Sequence, residues 1–392
     1  MKYNFDEIIE RKNTNSIKYD FAKRMGKPED AIPLWVADMD FRTPLEVSEA
    51  LVESAKHGIF GYSESQQQYY LALEKWFAEN FGWNIQPSWL VKTPGVVFAI
   101  AMAIRALTKE GDGVLIQRPV YYPFEQTILA NERNIVNNPL IYENLSYQID
   151  FEDFESKIVY NNVRLFILCN PHNPVGRVWT HNELVKLGDI CIKHGVIVVS
   201  DEIHADFVYN GYRHLIFADL KPEFSDIAIT CTAPSKTFNL AGLQVSNIFI
   251  GSSEIRSKFM AEFIKTGYFQ INTMGLVACQ AAYQFGKEWL DELKIYLGKN
   301  LEFIRDFLSE RLPQIKLIEP QGTYLIWLDF NALDLTDDEL ENLITSKAKL
   351  WLDRGSMFGE EGKGFQRINI ACPRKILEKA FIQLEKAVNN LQ

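Results

Sequence analysis

The amino-acid sequence predicts an α/β fold whose larger part is a doubly wound, mainly parallel sheet. One observation is that short apolar runs rich in β-branched residues alternate with segments whose apolar residues recur at helical spacing. This alternation is typical of parallel strands that are covered by helices on both faces. A second observation is that polar residues follow the ends of these runs, where such sheets bind ligands. The predicted strands are residues 113–117, 163–169, 196–200, 227–231 and 245–250.

Helices are predicted between these strands and after them. Residues 182–194 carry apolar side chains at helical spacing, and a longer helical pattern runs over 287–312 and ends before Pro313. A shorter region of alternating apolar residues follows the long helix. We therefore predict a large domain formed by residues 46–286, and a smaller α/β domain formed by residues 1–45 together with 287–392.

The net charge and the cysteines indicate which partners and which cellular compartment to expect for the protein. A net charge of −10 argues against a nucleic-acid partner, because binding to a phosphate backbone requires clustered Lys and Arg. The sequence shows no apolar run of membrane-spanning length and no apolar leader, so we expect a soluble, cytoplasmic protein. Reduced core thiols are predicted for the five cysteines, which are Cys169, Cys191, Cys231, Cys279 and Cys372.

Three polar side chains at predicted strand ends suggest a pyridoxal phosphate site. Lys236 lies in a short polar–apolar segment just after one strand, and Asp201 and Asn173 follow two others. A lysine amine can form a Schiff base with the cofactor, a carboxylate can keep its ring nitrogen protonated, and an amide can donate to its phenolic oxygen. For an isolated aspartate such as Asp201, a helix N-cap or a structural ion pair is the favoured interpretation. The convergence of the three residue types is what favours the cofactor site.

The phosphate end of such a site is predicted at a helix start. The apolar helix that runs towards Thr108 begins near Val96 and Val97, after a Pro-Gly pair, and free N–H groups at a helix start bind anions. A Pro-Gly pair alone marks only a turn. His172 is interpreted as a loop histidine and not as a catalyst. The sequence has no Cys-x-x-Cys or His-Glu-x-x-His pattern, so no metal is expected, and no Gly-x-Gly-x-x-Gly run supports a nicotinamide site.

Several motifs, taken together, resemble one family over nearly the whole chain. The sequence is similar to the fold-type I pyridoxal-phosphate enzymes, with an aminotransferase-like fold. Within them it looks like the branch of cystathionine β-lyases and cysteine C–S lyases, which is related to the class I and II aminotransferases. The segments that carry the resemblance are residues 35–41, 60–62, 170–179, 200–206, 235–244 and 364–369.

The resemblance implies a role for each candidate residue. Lys236 would hold the cofactor covalently and act as the catalytic base, Tyr121 would stack on the ring, and Ser235 would help to hold the phosphate. Arg367 would grip the substrate carboxylate through a bidentate fork. The cofactor-binding residues implied are Val96, Val97, Tyr121, Asn173, Asp201, His204, Ser235 and Lys236. The substrate-binding residues implied are Trp35, Tyr62, Tyr122 and Arg367.

Two positions depart from the related aminotransferases. Many of those enzymes have an arginine eight residues after the lysine, where it binds phosphate, but this chain has Gln244 there. They also often have a tyrosine three residues after the aspartate, whereas this chain has His204. The phosphate charge would then be met mainly by the helix start and by neutral donors. The sequence does not fix the charge of the His204 imidazole.

The resemblance implies a β-elimination that cleaves L-cysteine or L-cystathionine to a thiol, pyruvate and ammonia. Tyr62 would reach into the site of a neighbouring subunit, which implies a homodimer with shared active sites. The same residues would also serve an aminotransferase, so the residues alone leave that alternative open. A further alternative is a lyase that doubles as a regulator by binding a transcription factor.

Overall fold

The described part of the chain, residues 2–391 of the computed structural model, is built around two sheets. The strands are β1 (Ile32–Pro33), β2 (Leu90–Thr93), β3 (Gly113–Ile116), β4 (Asn134–Asn137), β5 (Ile141–Glu143), β6 (Ser146–Gln148), β7 (Val163–Cys169), β8 (Ile197–Asp201), β9 (Ala228–Thr232), β10 (Ser246–Ile250), β11 (Lys316–Ile318), β12 (Leu325–Asp329), β13 (Leu350–Trp351), β14 (Asp353–Arg354) and β15 (Phe365–Asn369). The helices are α1 (Leu45–His57), α2 (Gln67–Phe81), α3 (Val96–Leu107), α4 (Pro123–Ala130), α5 (Phe151–Tyr160), α6 (His181–His194), α7 (Pro222–Ile227), α8 (Pro234–Thr237), α9 (Ser253–Lys265), α10 (Thr273–Phe285), α11 (Lys287–Arg311), α12 (Asp337–Asn342) and α13 (Arg374–Asn389).

The larger sheet has seven strands in the order β2-β10-β9-β8-β7-β3-β4. The pairs β9–β8, β8–β7, β7–β3 and β3–β4 are parallel. The strand β10 runs antiparallel to both of its neighbours, β9 and β2. The prediction of a doubly wound, mainly parallel sheet is therefore confirmed, with one reversed strand near an edge.

Strand boundaries follow the apolar runs to within a residue or two. The strand predicted at 163–169 is observed with those bounds, whereas the strand predicted at 196–200 is Ile197–Asp201. Asp201 is thus the last residue of its strand and does not follow it. The edge strands β2 and β4 were not predicted from the sequence, because each is only half buried and carries polar residues among its apolar ones.

Helix α6 shows how local sequence sets an element's limits. The Thr180 side chain accepts a hydrogen bond from the Glu183 N–H (3.3 Å), and the Glu183 carboxylate accepts one from the Thr180 N–H (2.7 Å). This capping box satisfies two backbone donors that the first turn leaves free. The helix ends at Gly195, which adopts the left-handed conformation (φ 66°) that glycine tolerates without steric cost.

The smaller sheet is antiparallel and has the order β11-β12-β15-β14. Its strand β11 packs against the long helix α11, which also contacts the C-terminal helix α13. The rings of Trp327 and Phe365 stack within this sheet at 5.2 Å. The two sheets lie on either side of residue 287 in the sequence. The exact domain boundaries, 46–286 against 1–45 and 287–392, stay a prediction.

A connecting segment, residues 34–41, joins the two sheets. Asn239, from the side of the larger sheet, holds the Met39 backbone by accepting from its N–H (2.9 Å) and donating to its carbonyl (3.0 Å). Asn369, from the smaller sheet, donates to the carbonyls of Val36 and Asp38, both at 2.7 Å. The segment is therefore fixed from both sides by side-chain amides.

The interior is packed closely enough for a single methyl group to matter. A Cβ at Gly188 of α6 would lie 2.2 Å from the fully buried Phe224 ring. We expect Gly188→Ala to lower the free energy of unfolding by about 1–2 kcal/mol, because overpacking exceeds the gain in helix propensity. Gly298→Ala in α11 is the control: its Cβ would meet nothing within 4 Å, so a gain of about 0.5–1 kcal/mol is expected. Urea unfolding of both variants measures the difference, and a stabilised Gly188→Ala would contradict the packing.

The five cysteines are all free and buried. Burial raises the pKa of each thiol above its usual range. Over residues 2–391, none of the helices combines the length and the apolar character needed to cross a membrane. Over the same residues, no group of three or more metal-ligating side chains comes together.

Candidate active site

Three neighbouring strands bring the predicted cofactor residues to one edge of the larger sheet. The strands β7, β8 and β9 are adjacent and parallel, and Asp201 lies in register with the last residue of β7. Asn173 follows β7, Asp201 ends β8, and Lys236 lies in the short helix α8 just after β9. The carboxyl ends of parallel strands share an edge, so the topology alone places these three residues together.

The amine of Lys236 has a pKa close to physiological pH. Burial, and then the positive charge of Arg367, lower the pKa of Lys236 to about 8. Its Nζ donates a hydrogen bond to the Ala37 carbonyl at 3.1 Å. The Tyr324 hydroxyl donates to the same carbonyl at 2.9 Å. The connecting segment therefore supplies the contact that orients the amine.

Asp201 is a buried carboxylate whose loss of hydration is offset by few interactions with the protein. It is 5% exposed, and its Oδ1 accepts one hydrogen bond from the Ile203 N–H at 3.2 Å. Burial raises the pKa of Asp201 to about 7, although the charge of Lys236 opposes this rise. A cation placed beside a buried carboxylate of this kind stabilises its ionised form.

Arg367 lies in β15 of the smaller sheet and reaches across to the larger one. Its Nη1 donates to the Asn173 Oδ1 (2.9 Å), and its Nη2 donates to the Trp35 carbonyl (3.0 Å) and to the carboxylate of Asp353. The side chain is 2% exposed, and its Nε has no hydrogen-bond partner. The guanidinium also lies over the Phe358 ring, 4.9 Å from its centroid. A buried cation with a free donor is suited to binding a carboxylate.

Aromatic residues surround this edge of the sheet. The rings of Tyr121 and Tyr122 are 5.5 Å apart, and Tyr122 also meets the Phe358 ring edge-on at 5.9 Å. His204 is buried, its Nδ1 has no partner, and its ring lies edge-on to Tyr324 at 5.9 Å. Burial, followed by the charges of Lys236 and Arg367, holds the pKa of His204 well below its usual range. This shift favours the neutral form of the imidazole.

The helix start that was predicted for an anion lies at the same edge. Helix α3 begins at Val96, and its N-cap residue Gly95 offers no side chain to the first N–H groups. The strand before it, β2, pairs with β10 so that Thr93 faces Ser246, beside the end of β9. Val96 is buried, Val97 is partly exposed, and Ser235 lies next to Lys236 in α8. Gln244, where an arginine is common in relatives, is exposed.

Two predicted substrate residues take other positions. The Trp35 indole stacks on Trp351 with ring centroids 4.5 Å apart, and it is the Trp35 backbone that contacts Arg367. Tyr62 is 99% exposed, in the segment before α2, and so stands apart from the buried residues of its own chain. The roles assigned to these two residues stay predictions.

Two residues of the site were missed by sequence reasoning. Asp353 pairs with Arg367 from the two-residue strand β14, and the buried Tyr324 supports the Ala37 carbonyl. Tyr324 carries no signal beyond an alternating apolar pattern. Asp353 could have been identified as an acid that directly follows the apolar run Leu350-Trp351-Leu352, because a buried acid needs a partner.

Comparisons with known proteins find similarity over nearly the whole chain. The family model described as "Aminotransferase class I and II" matches residues 29–382. Cystathionine beta-lyase PatB of Bacillus subtilis is 45% identical over 386 residues, which are 98% of this chain and 100% of that protein. Cystalysin from Treponema denticola, whose crystal structure contains pyridoxal 5'-phosphate, has a TM-score of 0.97 and 38% identity over 100% of both chains. The PLP-bound C–S lyase from Staphylococcus hominis has a TM-score of 0.91 and 34% identity over 98% of both chains.

Proposed function

Because this chain belongs to the class I and II aminotransferase family, we propose that it is a pyridoxal-phosphate-dependent carbon–sulfur β-lyase. Its substrate is L-cysteine or L-cystathionine, and its products are a thiol, pyruvate and ammonia. The observation that carries the chemistry is the low-pKa amine of Lys236 on the same edge as the buried cation Arg367. The choice of elimination is supported by the relatives that are named as lyases.

The residues present fit pyridoxal phosphate. The site offers a buried carboxylate that lacks a close cation, an uncapped helix start for a phosphate, and a buried His204 nitrogen without a partner. These are complementary to a protonated ring nitrogen, a phosphate and a polar ring substituent. The residues that would hold the cofactor are Val96, Val97, Tyr121, Asn173, Asp201, His204, Ser235 and Lys236.

The chain's own residues then perform two tasks on the substrate. Arg367 binds the amino acid's carboxylate and fixes the orientation of its α-carbon. Lys236, whose amine is half neutral at its pKa of about 8, removes the α-proton as a general base. When bound, pyridoxal phosphate supplies the electron sink for the pair of electrons left on that carbon. Asp201 would pair with the ring nitrogen of the bound cofactor and so strengthen that sink.

The leaving group decides between the two reactions that this site can support. A thiol with a pKa near ~8.5 departs readily as a thiolate, so the carbon–sulfur bond breaks and aminoacrylate is released. Aminoacrylate then hydrolyses to pyruvate and ammonia. In transamination, Lys236 would act as a general acid as well as a base, and the bound cofactor would supply a carrier for the amino group. That reaction is the alternative function.

We also propose that the active form is a homodimer. Apolar side chains before α2 and before α10 are unusually exposed: Ile59 (72%), Phe60 (62%), Tyr62 (99%) and Phe269 (69%). The two segments are adjacent, because the hydroxyls of Ser63 and Thr273 lie 2.8 Å apart. A contiguous apolar patch of this kind is typical of a protein interface. A second copy of the chain would cover it and carry Tyr62 towards the partner's site.

We propose a cytoplasmic location because of the state of the cysteines. All five are buried free thiols, which is typical of proteins in a reducing compartment. Recovery of the enzyme with the cytosolic fraction of cells would support this location.

The test of the function is sustained pyruvate release without an added keto acid. Purified enzyme loaded with pyridoxal phosphate is given L-cysteine or L-cystathionine, and pyruvate is followed over many turnovers. Release of pyruvate together with sulfide or homocysteine is the expected result, and the ratio of rates identifies the substrate. Pyruvate or amino-group transfer that appears only after a keto acid is supplied would show an aminotransferase instead.

Tyr62 is expected to contribute more to a large substrate than to a small one. Cystathionine carries a second amino-acid group, so Tyr62→Ala should lower kcat/KM for cystathionine about tenfold more than for cysteine. Tyr160→Ala is the control, since Tyr160 is also highly exposed (84%) but lies on α5. Steady-state kinetics with both substrates make the measurement, and an equal loss for both substrates would refute this role.

A further inference from the structure

We propose that Asp353 is the residue that positions Arg367 for the substrate's α-carboxylate. The inference rests on the proposed function only in taking an α-amino acid as the substrate. Asp353 and Arg367 are opposite each other in the antiparallel pair β14–β15. Both are almost fully buried, at 2% exposure each, and they form an ion pair through the Arg367 Nη2. Directly opposed residues in such a pair are close enough to fix each other's side chains.

The two anchors of Nη2 are themselves fixed to each other. One anchor is the Trp35 carbonyl and the other is Asp353. Trp35 stacks on Trp351 at 4.5 Å, and Trp351 precedes Asp353 by two residues. The Leu34 N–H also donates to the Trp351 carbonyl at 2.8 Å, next to the parallel pair β1–β13. The guanidinium therefore meets a rigid corner made by two backbone segments.

The corner determines which donors remain for a substrate. An arginine has five N–H groups. Asn173 takes one from Nη1, while Trp35 and Asp353 take the two from Nη2. The remaining N–H of Nη1 and the N–H of Nε are left, and Nε is buried without a partner. These are the donors available to a substrate carboxylate.

The pair also removes an electrostatic penalty. A buried guanidinium without a counter-charge would be costly in the substrate-free enzyme. Asp353 supplies that counter-charge from the side that faces away from Asn173, so Arg367 can stay buried and ready. Binding of the substrate then adds hydrogen bonds to a cation that is already in place, which reduces the cost of ordering it.

The test is Asp353→Asn in the enzyme loaded with pyridoxal phosphate. Asparagine keeps the size of the side chain but loses the charge that strengthens its bond to Nη2. We expect KM for L-cysteine to rise about tenfold while kcat changes by less than about threefold, since the reacting atoms are untouched. Cofactor absorption, measured in parallel, should match the wild type and show that the site is still formed.

Asp337→Asn provides the matched control. Asp337 also pairs with an arginine, Arg354, which is next to Asp353 in the same strand. Successive side chains of a strand point to opposite faces, so this pair does not touch Arg367. The control variant should keep both KM and kcat. If Asp353→Asn also keeps the wild-type KM, or if its KM rises no more than that of the control, the inference is overturned.

The proposed function and this inference fail in different ways. Transamination without net elimination by the wild-type enzyme would refute the lyase, but it would leave the KM comparison measurable with the same amino acid. Elimination by the wild type with an unchanged KM in Asp353→Asn would refute only the role of Asp353.

Discussion

The Lys236→Ala variant is expected to lose turnover by at least about 10³-fold. A positioned general base contributes about 10²–10⁴-fold, and this lysine also holds the cofactor covalently. Alanine can neither take the α-proton nor attach the cofactor. The loss should appear in kcat for pyruvate formation, together with loss of the cofactor's absorption band in the protein. Full activity in this variant would end the whole proposal.

Lys294→Ala separates this effect from the general loss of a buried lysine. Lys294 is also partly buried, and burial lowers its pKa as it does that of Lys236. It lies in α11, among residues that have no role in the proposed reaction. We expect its removal to leave kcat near the wild-type value. A comparable loss in both variants would mean that the effect at Lys236 is structural.

Asp201→Asn is expected to reduce kcat by about 10²–10³-fold. An amide of the same size cannot hold the ring nitrogen protonated, so electrons on the α-carbon are accepted less well. The cofactor should still attach, because Lys236 is intact. Pyruvate release at saturating cofactor measures the loss, and Asp201→Glu, which restores the charge, should recover part of it. Unchanged kcat in Asp201→Asn would remove Asp201 from the site.

The same substitution should make the cofactor-free protein more stable at high pH. Burial raises the pKa of Asp201 to about 7, so between about pH 4 and pH 7 the folded protein holds a proton that the unfolded chain releases. Stability of the wild type therefore falls as pH rises through this window. Asparagine binds no proton, so the free energy of unfolding of Asp201→Asn should exceed that of the wild type by about 4 kcal/mol at pH 8 and by much less at pH 4.

Urea unfolding of both apoenzymes at the two pH values makes this measurement. The charged neighbours of Asp201, Lys236 and Glu202, are present in both proteins and oppose each other in their effect on its pKa. A stability difference that does not change with pH would show that Asp201 is well solvated or paired in the folded state. Active-site residues often lower the stability of the folded enzyme, because the arrangement that function requires is not the most stable one.

The central sheet was predictable because its inner strands are apolar on both faces. The strand Val163–Cys169 was located from that pattern alone. The edge strands Leu90–Thr93 and Asn134–Asn137 were not, because partly exposed strands lose the continuous apolar run. Asp201 was placed just beyond its strand, since polar residues usually end an apolar run, but backbone pairing with Cys169 extends the strand to include it.

The candidate site was predictable where chemistry requires a rare residue type at a strand end. Lys236, Asp201 and Asn173 met that condition, and the structure brings them to one edge with Arg367. Asp353 was missed because its role depends on pairing with a strand that begins twelve residues later. The sequence also did not indicate that Trp35 contacts Arg367 through its backbone carbonyl and not through its ring, because this depends on the stacking of the ring on Trp351.

The burial of every cysteine has a consequence for an enzyme that generates thiols. Even when an oxidant is present, a mixed disulfide between a released thiol and a protein cysteine forms only if the cysteine is both accessible and ionised. All five cysteines of this chain are enclosed, and burial raises the pKa of each, so neither condition is met in the folded protein. Sulfide or homocysteine leaving the site would meet no reactive sulfur on the catalyst. The fold thus protects the cysteines from forming mixed disulfides with the thiol product, whatever the redox state of the surrounding solution.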